Sequence, residues 1–136
     1  MVFIPKTNNE LKEAVKIWCS NKEKALEKYG EINTWNTINI TAMKYLFKDK
    51  IMFNDNILNW DISNVIDMNN MFGNCKEFNQ DLDNWNLKSL KWCIKMFHGC
   101  CSYSYPLFSW TNYNIIMNTQ IFDRAINKKL SKAISI

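Results

Sequence analysis

The sequence of 136 residues lacks any long apolar run, although 47% of its residues are hydrophobic. Its first ten residues contain no apolar stretch of the length that a signal peptide requires, and no later segment is long enough to cross a bilayer. We therefore expect a protein that lies inside a cell or within a viral particle and does not insert in a membrane. The hydrophobic content is sufficient for one domain with a substantial core.

Metal-binding patterns are also missing. His98 is the single histidine, and the five cysteines include no Cys-x-x-Cys pair. Zinc sites need clustered Cys or His ligands at short, regular spacings, so we predict neither a metal nor another cofactor. An odd number of cysteines without a signal peptide indicates reduced thiols rather than disulfides.

The chain has little excess charge of either sign. Its formal net charge is +4, and residues 35–110 carry seven lysines against seven acidic residues. Proteins that bind nucleic acid usually have a clustered basic face, so the sequence argues against nucleic acid as a partner. The acids fall mainly at turn positions and the sequence shows no recognisable catalytic motif around its single histidine, so we predict that the chain is not an enzyme.

The most informative feature is a repeat of 25 residues, marked by Trp35, Trp60, Trp85 and Trp110. A fixed period of this size is typical of stacked repeat proteins. When positions are counted from each Trp as position 0, apolar residues recur near positions 2, 5, 8, 11, 12, 15, 18 and 22. The second copy predicts buried residues at Trp60, Val65, Met68, Met71, Phe72 and Phe78.

We predict an α/β solenoid, a short leucine-rich-repeat-like stack of 25-residue turns with helical N- and C-terminal caps. Each copy is expected to form a short strand, a helical turn over the Leu/Met-Phe pair, and a loop. Asn and Asp recur beside the Trp and after position 18, where they suit corners and could form ladders between copies. The predicted organisation is one domain with an N-terminal cap, three repeats, and a degenerate fourth repeat with a cap helix, at residues 1–34, 35–109 and 110–136.

The N-terminal cap is predicted to contain two helices. Thr7 and Glu10 form a capping-box pattern before an amphipathic stretch, and Ser20 with Glu23 repeats that pattern. Gly30 is a suitable C-terminal stop for the second helix. A terminal element of this kind would cover the open apolar face of the first repeat.

Residues 59–82 read Asn-Trp-Asp-Ile-Ser-Asn-Val-Ile-Asp-Met-Asn-Asn-Met-Phe-Gly-Asn-Cys-Lys-Glu-Phe-Asn-Gln-Asp-Leu. This segment resembles the BspA-like leucine-rich-repeat family, first catalogued as a domain of unknown function in mycoplasmas and found also in large DNA viruses and protists. The resemblance covers about residues 32–122. It implies a solenoid used for binding or assembly, and it implies no enzymatic residues.

Residues that break the repeat are candidates for binding a partner. Position 7 is Ala42, then Asp67, then Trp92, and Tyr105 replaces polar residues at its own position. Large exposed aromatic residues often anchor interfaces, although Trp92 could instead repack against the degenerate fourth copy. The candidate contact residues are Trp92, Tyr105, Asp67 and Lys91.

These observations predict a non-enzymatic protein–protein interaction or assembly module, such as a structural component of a large complex or viral particle. The alternative is a cell-surface adhesion or host-interaction repeat protein. Its partners are expected to be other proteins, with no nucleic acid involved.

Overall fold

The computed structural model describes residues 1–113 and residue 121. The predicted C-terminal cap helix and most of the predicted fourth repeat lie outside the described residues. Within the described part, two α-helices precede three successive 25-residue segments. We name these segments layer A (residues 35–59), layer B (60–84) and layer C (85–109), and we count positions within each from its Trp as position 0.

Helix α1 spans Asn8–Ser20. Its first turn is capped as the sequence predicts, because the Thr7 side chain accepts a hydrogen bond of 3.1 Å from the Glu10 backbone N–H. The buried face of α1 packs on layer A through apolar residues at helical spacing, which are Leu11, Ala14, Val15 and Trp18.

Helix α2 spans Lys22–Tyr29. Its N-cap is Asn21 rather than the predicted Ser20, since the Asn21 side chain accepts from the Lys24 backbone N–H at 3.1 Å. Gly30 ends the helix with φ of 74°, a left-handed conformation that glycine adopts at little cost. A 3₁₀ turn over Ile32–Thr34 then leads into layer A, and another, Phe108–Asn112, begins at the end of layer C.

The core is built from columns of identical positions in successive layers. Phe47, Phe72 and Phe97 stack with ring centroids 5.6 Å apart at both steps. A parallel column of Phe53, Phe78 and Tyr103 lies beside it, with steps of 5.8 and 5.9 Å. The four repeat tryptophans are all buried, and so are the residues predicted from the second copy: Trp60, Val65, Met68, Met71, Phe72 and Phe78.

The predicted α/β solenoid is wrong. The described residues contain no strand, and the only β-type pairs among them are the isolated parallel bridges of Asp67 with Ala42 and with Trp92. The predicted helical turn over the Leu/Met-Phe pair is also a non-helical turn. No α/β architecture is therefore present in the described part of the chain.

Tight turns explain why strands and helices do not form. In every layer the buried residue at position 5 donates its backbone N–H to the carbonyl of position 2, and position 11 donates to position 8 in the same way. The same three-residue bond links positions 12, 15 and 18. The apolar spacing of three thus marks the ends of consecutive turns, which reverse the backbone before either a strand or a helix can extend.

Two corners in each layer have left-handed backbone. Position 10 has positive φ in all three layers (54° to 61°), at Tyr45, Asn70 and Lys95. Position 14 has positive φ as well (60° to 76°), at Asp49, Asn74 and Gly99. A Cβ added at Gly99 would lie 2.6 Å from the Asn74 Oδ1 atom, so only glycine fits that corner without movement.

The recurring Asn and Asp residues form hydrogen bonds within turns at position 1 and between layers at position 19. At position 1, Asn36, Asp61 and Asn86 each accept a hydrogen bond from the backbone N–H two residues later. At position 19, Asn54 accepts from the Asn79 backbone N–H at 2.8 Å, and Asn79 accepts from Ser104 at 3.0 Å. The bonds between layers at this position therefore join a side-chain oxygen to the backbone of the next layer, whereas the predicted ladder joined amide side chains to one another.

Asn8 closes the first edge of the stack. In layer B, the backbone N–H at position 6 donates to the layer A carbonyl at Thr41. Layer A has no preceding layer, and its Thr41 and Ala42 N–H groups instead donate to the Asn8 Oδ1 atom at 3.0 and 3.3 Å. Asn8 also donates to the Thr41 Oγ1 atom at 3.2 Å. One side-chain amide thus replaces the carbonyl that a preceding layer would supply.

Candidate protein-contact surface

The candidate surface lies on one side of the stack, where positions 3 to 7 of the three layers run next to one another. An open groove of about 690 Å³ crosses this side. We call it the flank groove. Its lining combines apolar, amide, hydroxyl and lysine side chains: Ile38, Asn39, Thr41, Asn64, Ile66, Lys88, Ser89, Leu90 and Lys91.

Trp92 projects outward beside the layer C end of the flank groove, and 47% of its surface is exposed. Its backbone is held on both sides, since its N–H donates to the Ile66 carbonyl at 3.1 Å and its carbonyl accepts from the Met68 N–H at 2.7 Å. Among the described residues, the indole stacks on no other aromatic ring. Trp92 is therefore a large exposed aromatic side chain on a fixed section of backbone.

Asp67 and Lys91 lie next to Trp92. Asp67 forms the parallel bridge with Trp92, and its Oδ1 atom accepts from the Asn69 backbone N–H at 2.8 Å. Lys91 is exposed in the flank groove, and its backbone N–H also donates to the Ile66 carbonyl, at 2.9 Å. The structure thus brings together three of the four predicted contact residues.

Tyr105 does not belong to this cluster. It occupies position 20 of layer C, beyond both left-handed corners of that layer, and is 39% exposed. Phe108, three residues further on, is 61% exposed. These two aromatics are a separate exposed feature.

Among the lining residues that the sequence did not predict as contacts, Ile66 and Lys88 are the most informative. Ile66 is 39% exposed at position 6, where the other layers have Thr41 and Lys91. Lys88 is exposed at position 3, next to Lys91 in the lining. The departure of Ile66 from the polar residues at its position is the signal that could have identified it.

Lysine side chains give the groove a positive charge. Neither Lys88 nor Lys91 makes an ion pair with any described residue, and the described part of the lining contains no acid. Charge is also divided between layers: layer B has five acids and one lysine, whereas layer C has three lysines and no acid. The neutral total for the repeats therefore conceals an acidic layer beside a basic one.

A second cleft, of about 680 Å³, separates the end of α1 from layer A. At its side, Asp55 accepts from the Trp18 indole N–H at 2.9 Å and pairs with Lys22 at 3.2 Å. Burial raises the pKa of the nearby Cys19 thiol to about 11, so this thiol is protonated near neutral pH. These contacts attach the helical segment to layer A.

The repeat cysteines are part of the core. The Cys75 and Cys100 thiols donate to the carbonyls of Phe47 and Phe72, each at 2.9 Å. Burial raises the pKa of Cys75 well above its usual value and that of Cys100 to about 12. All five cysteines are free, and the buried ones are protonated packing groups rather than nucleophiles.

In the part of the chain that the structure describes, no group of three or more His, Cys, Asp or Glu side chains is placed to hold a metal ion. No helix in that part has the length and apolar character needed to cross a membrane.

Comparison with known proteins gives one relationship. A search of curated proteins and a search of solved structures found no match to the chain. The model of the family described as "Mycoplasma protein of unknown function, DUF285" matches residues 14–134, which include the second half of α1, all of α2 and all three layers. This match agrees with the resemblance seen in the repeat sequence, and the chain belongs to the DUF285 family.

Proposed function

We propose that the protein is a protein–protein interaction or assembly module, such as a structural component of a larger complex, and that its contact surface is centred on Trp92. The observation that carries this proposal is the half-exposed indole of Trp92 on a backbone fixed by hydrogen bonds to layer B. The repeated aromatic residues are consumed by packing within the stack. A partner can therefore use only the aromatic residues that the stack leaves outside.

Trp92 has the properties of an interface anchor. Tryptophan is enriched among residues that dominate binding energy, because its large apolar surface loses contact with water on association. Its backbone is already ordered, so binding would require little further loss of conformational entropy. Asp67 and Lys91 flank it with opposite charges, which would orient a partner more than they would strengthen its binding.

The test compares Trp92→Ala with Phe108→Ala, which removes another exposed aromatic residue from a different part of layer C. Proteins from the native source that are retained by the immobilised wild-type chain would be identified by mass spectrometry and then titrated with each variant. We expect Trp92→Ala to weaken the binding of the specific partner by about 2 kcal/mol or more. Phe108→Ala should bind that partner as the wild type does.

Chemical denaturation of both variants provides the necessary check on folding. Trp92→Ala should change the free energy of unfolding by much less than a substitution in the core does. A strongly destabilised Trp92→Ala protein whose folded fraction binds normally would contradict the proposal. Equal partner binding by the wild type and Trp92→Ala would do so as well.

A further inference from the structure

We propose that the flank groove binds an extended acidic segment of a partner protein. This inference rests on the proposed function and specifies the chemistry of the partner. Both lysines of the groove, Lys88 and Lys91, are exposed and make no ion pair with any described residue. The described lining contains no acid, so a carboxylate that enters the groove meets two cations without displacing a partner among the described residues.

The shape of the groove favours an extended chain. The groove crosses three layers, and each layer step is 5.6 Å. Two steps span about 11 Å, which three to four residues of an extended peptide would cover at about 3.3 Å per residue. The groove is open to solvent, as a site for a continuous chain must be.

The order of chemistry along the groove predicts a composition for the segment. Lys88 and Lys91 lie at the layer C end, the exposed Ile66 lies in layer B, and Thr41 and Asn39 lie at the layer A end. A matching segment therefore has one or two Asp or Glu residues, followed within about two residues by an apolar side chain against Ile66. Trp92 lies beside the lysine end of the groove and would cover the acidic residues of the bound segment from one side.

Nucleic acid fits this surface less well. Two lysines supply few phosphate contacts, and the described lining of the groove contains no aromatic ring on which bases could stack. Layer B, which forms the middle of the groove, carries five acids against one lysine and would also repel a phosphate backbone that extends across all three layers. A short peptide with a local pair of carboxylates avoids that repulsion.

The experiment uses a phage-displayed library of random ten-residue peptides, selected against the full chain and read by sequencing. We expect enrichment of Asp and Glu next to an apolar residue. The selected peptides should bind the Lys88→Glu/Lys91→Glu variant at least tenfold more weakly. The matched control, Lys76→Glu/Lys95→Glu, makes the same change of charge at exposed lysines outside the groove and should bind as the wild type does. Thermal melting would verify that all variants are folded.

Selected peptides without an excess of acids, or with equal affinity for the groove variant, would overturn the proposal. Peptides that lose binding to Trp92→Ala but not to the groove variant would reject the groove while leaving the proposed function intact. A single-stranded oligonucleotide provides the last arm. If the oligonucleotide binds more tightly than the peptides and the Lys88→Glu/Lys91→Glu variant no longer binds it, the groove is a nucleic-acid site and the proposal is wrong.

Discussion

Phe72 lies where the two ring columns meet. Its ring is fully buried, stacks between Phe47 and Phe97, and lies 4.0 Å from the ring of Phe78. Phe72→Ala would remove packing on three sides and leave a cavity, so we expect a loss of about 3–5 kcal/mol in the free energy of unfolding. Urea denaturation measures this loss. The exposed control Phe108→Ala should cost much less, and a Phe72→Ala cost below about 1 kcal/mol would contradict the packing described.

Cys93 gives a prediction for alkaline pH. Burial raises the pKa of its thiol from 9.0 to about 12. The thiolate is thus disfavoured in the folded state but free to form in the unfolded state. The stabilising contribution is complete below about pH 9 and is lost as pH rises toward 12. Each such thiol adds a slope of at most about 1.4 kcal/mol per pH unit.

Denaturation at pH 7.5, 9, 10 and 11 would measure this dependence. Cys93→Ala should lower stability at neutral pH and flatten the decline above pH 9. The control Cys101→Ala removes an exposed thiol and should leave the slope unchanged. Identical slopes for the wild type and Cys93→Ala would show that this thiol does not contribute.

At this scale the sequence predicts burial well and backbone conformation only in part. The buried positions follow from recurrence of apolar residues, because a column in a stack must be apolar in every copy. The left-handed corners were missed because position 10 holds Tyr45 and Lys95, which rarely adopt positive φ. Position 14 holds Asp49, Asn74 and Gly99, which are residue types that tolerate positive φ, but only layer B has such a residue at both corners.

At the scale of elements, one side chain of α1 completes the hydrogen bonding at the first edge of the stack. Asn8→Ala would leave the backbone N–H groups of Thr41 and Ala42 without the acceptor that they have in the wild type. We expect a loss of about 1–2 kcal/mol, reduced to the extent that water can replace the amide. Asn9→Ala is the matched control, since Asn9 is exposed on the same helical turn. Equal stability of the two variants in urea would show that the amide is dispensable.

The error in fold class also arises at this scale. Apolar spacing of three lies between the alternation of a strand and the 3.6-residue period of a helix. Taken alone, this spacing therefore suggests a mixture of short strands and helical turns. The hydrogen bonds between positions 2 and 5 and between 8 and 11 show that this spacing belongs to repeated turns. The helices α1 and α2 were predictable because their periodicity and caps are local. The turns were not, because their stability depends on the neighbouring layers.

For the whole molecule, the helical segment is expected to be essential for solubility. Trp35 packs edge-on against Phe3, Trp18 and Tyr29, at centroid distances of 5.3 to 5.8 Å. Deleting residues 1–30 would expose that tryptophan and the unpaired N–H groups of layer A, and open edges of this kind self-associate. Light scattering and size-exclusion chromatography should therefore show aggregates. A soluble, cooperatively unfolding fragment of residues 31–136 would contradict this expectation.

At this largest scale, only part of the contact surface could be predicted from the sequence. Trp92 was identified because it breaks a pattern within one column. The flank groove was not, since its lining joins residues from Ile38 to Lys91 that become neighbours only through stacking. The separation of charge between layers B and C is not visible in the net charge of the repeats, because the acids of layer B cancel the lysines of the other layers in that sum.

The bonds between layers also limit how this chain can change in length. The Asn54–Asn79 and Asn79–Ser104 bonds join residues 25 apart, and the Phe47–Phe72–Phe97 column repeats at the same interval. Insertion of one residue in layer B would displace every later residue of that layer by one position, so rings and amides would face the wrong partners. Insertion of twenty-five residues, such as a duplicate of layer B, would restore every contact. We therefore expect the fold to tolerate insertions and deletions in this region only in multiples of one 25-residue layer.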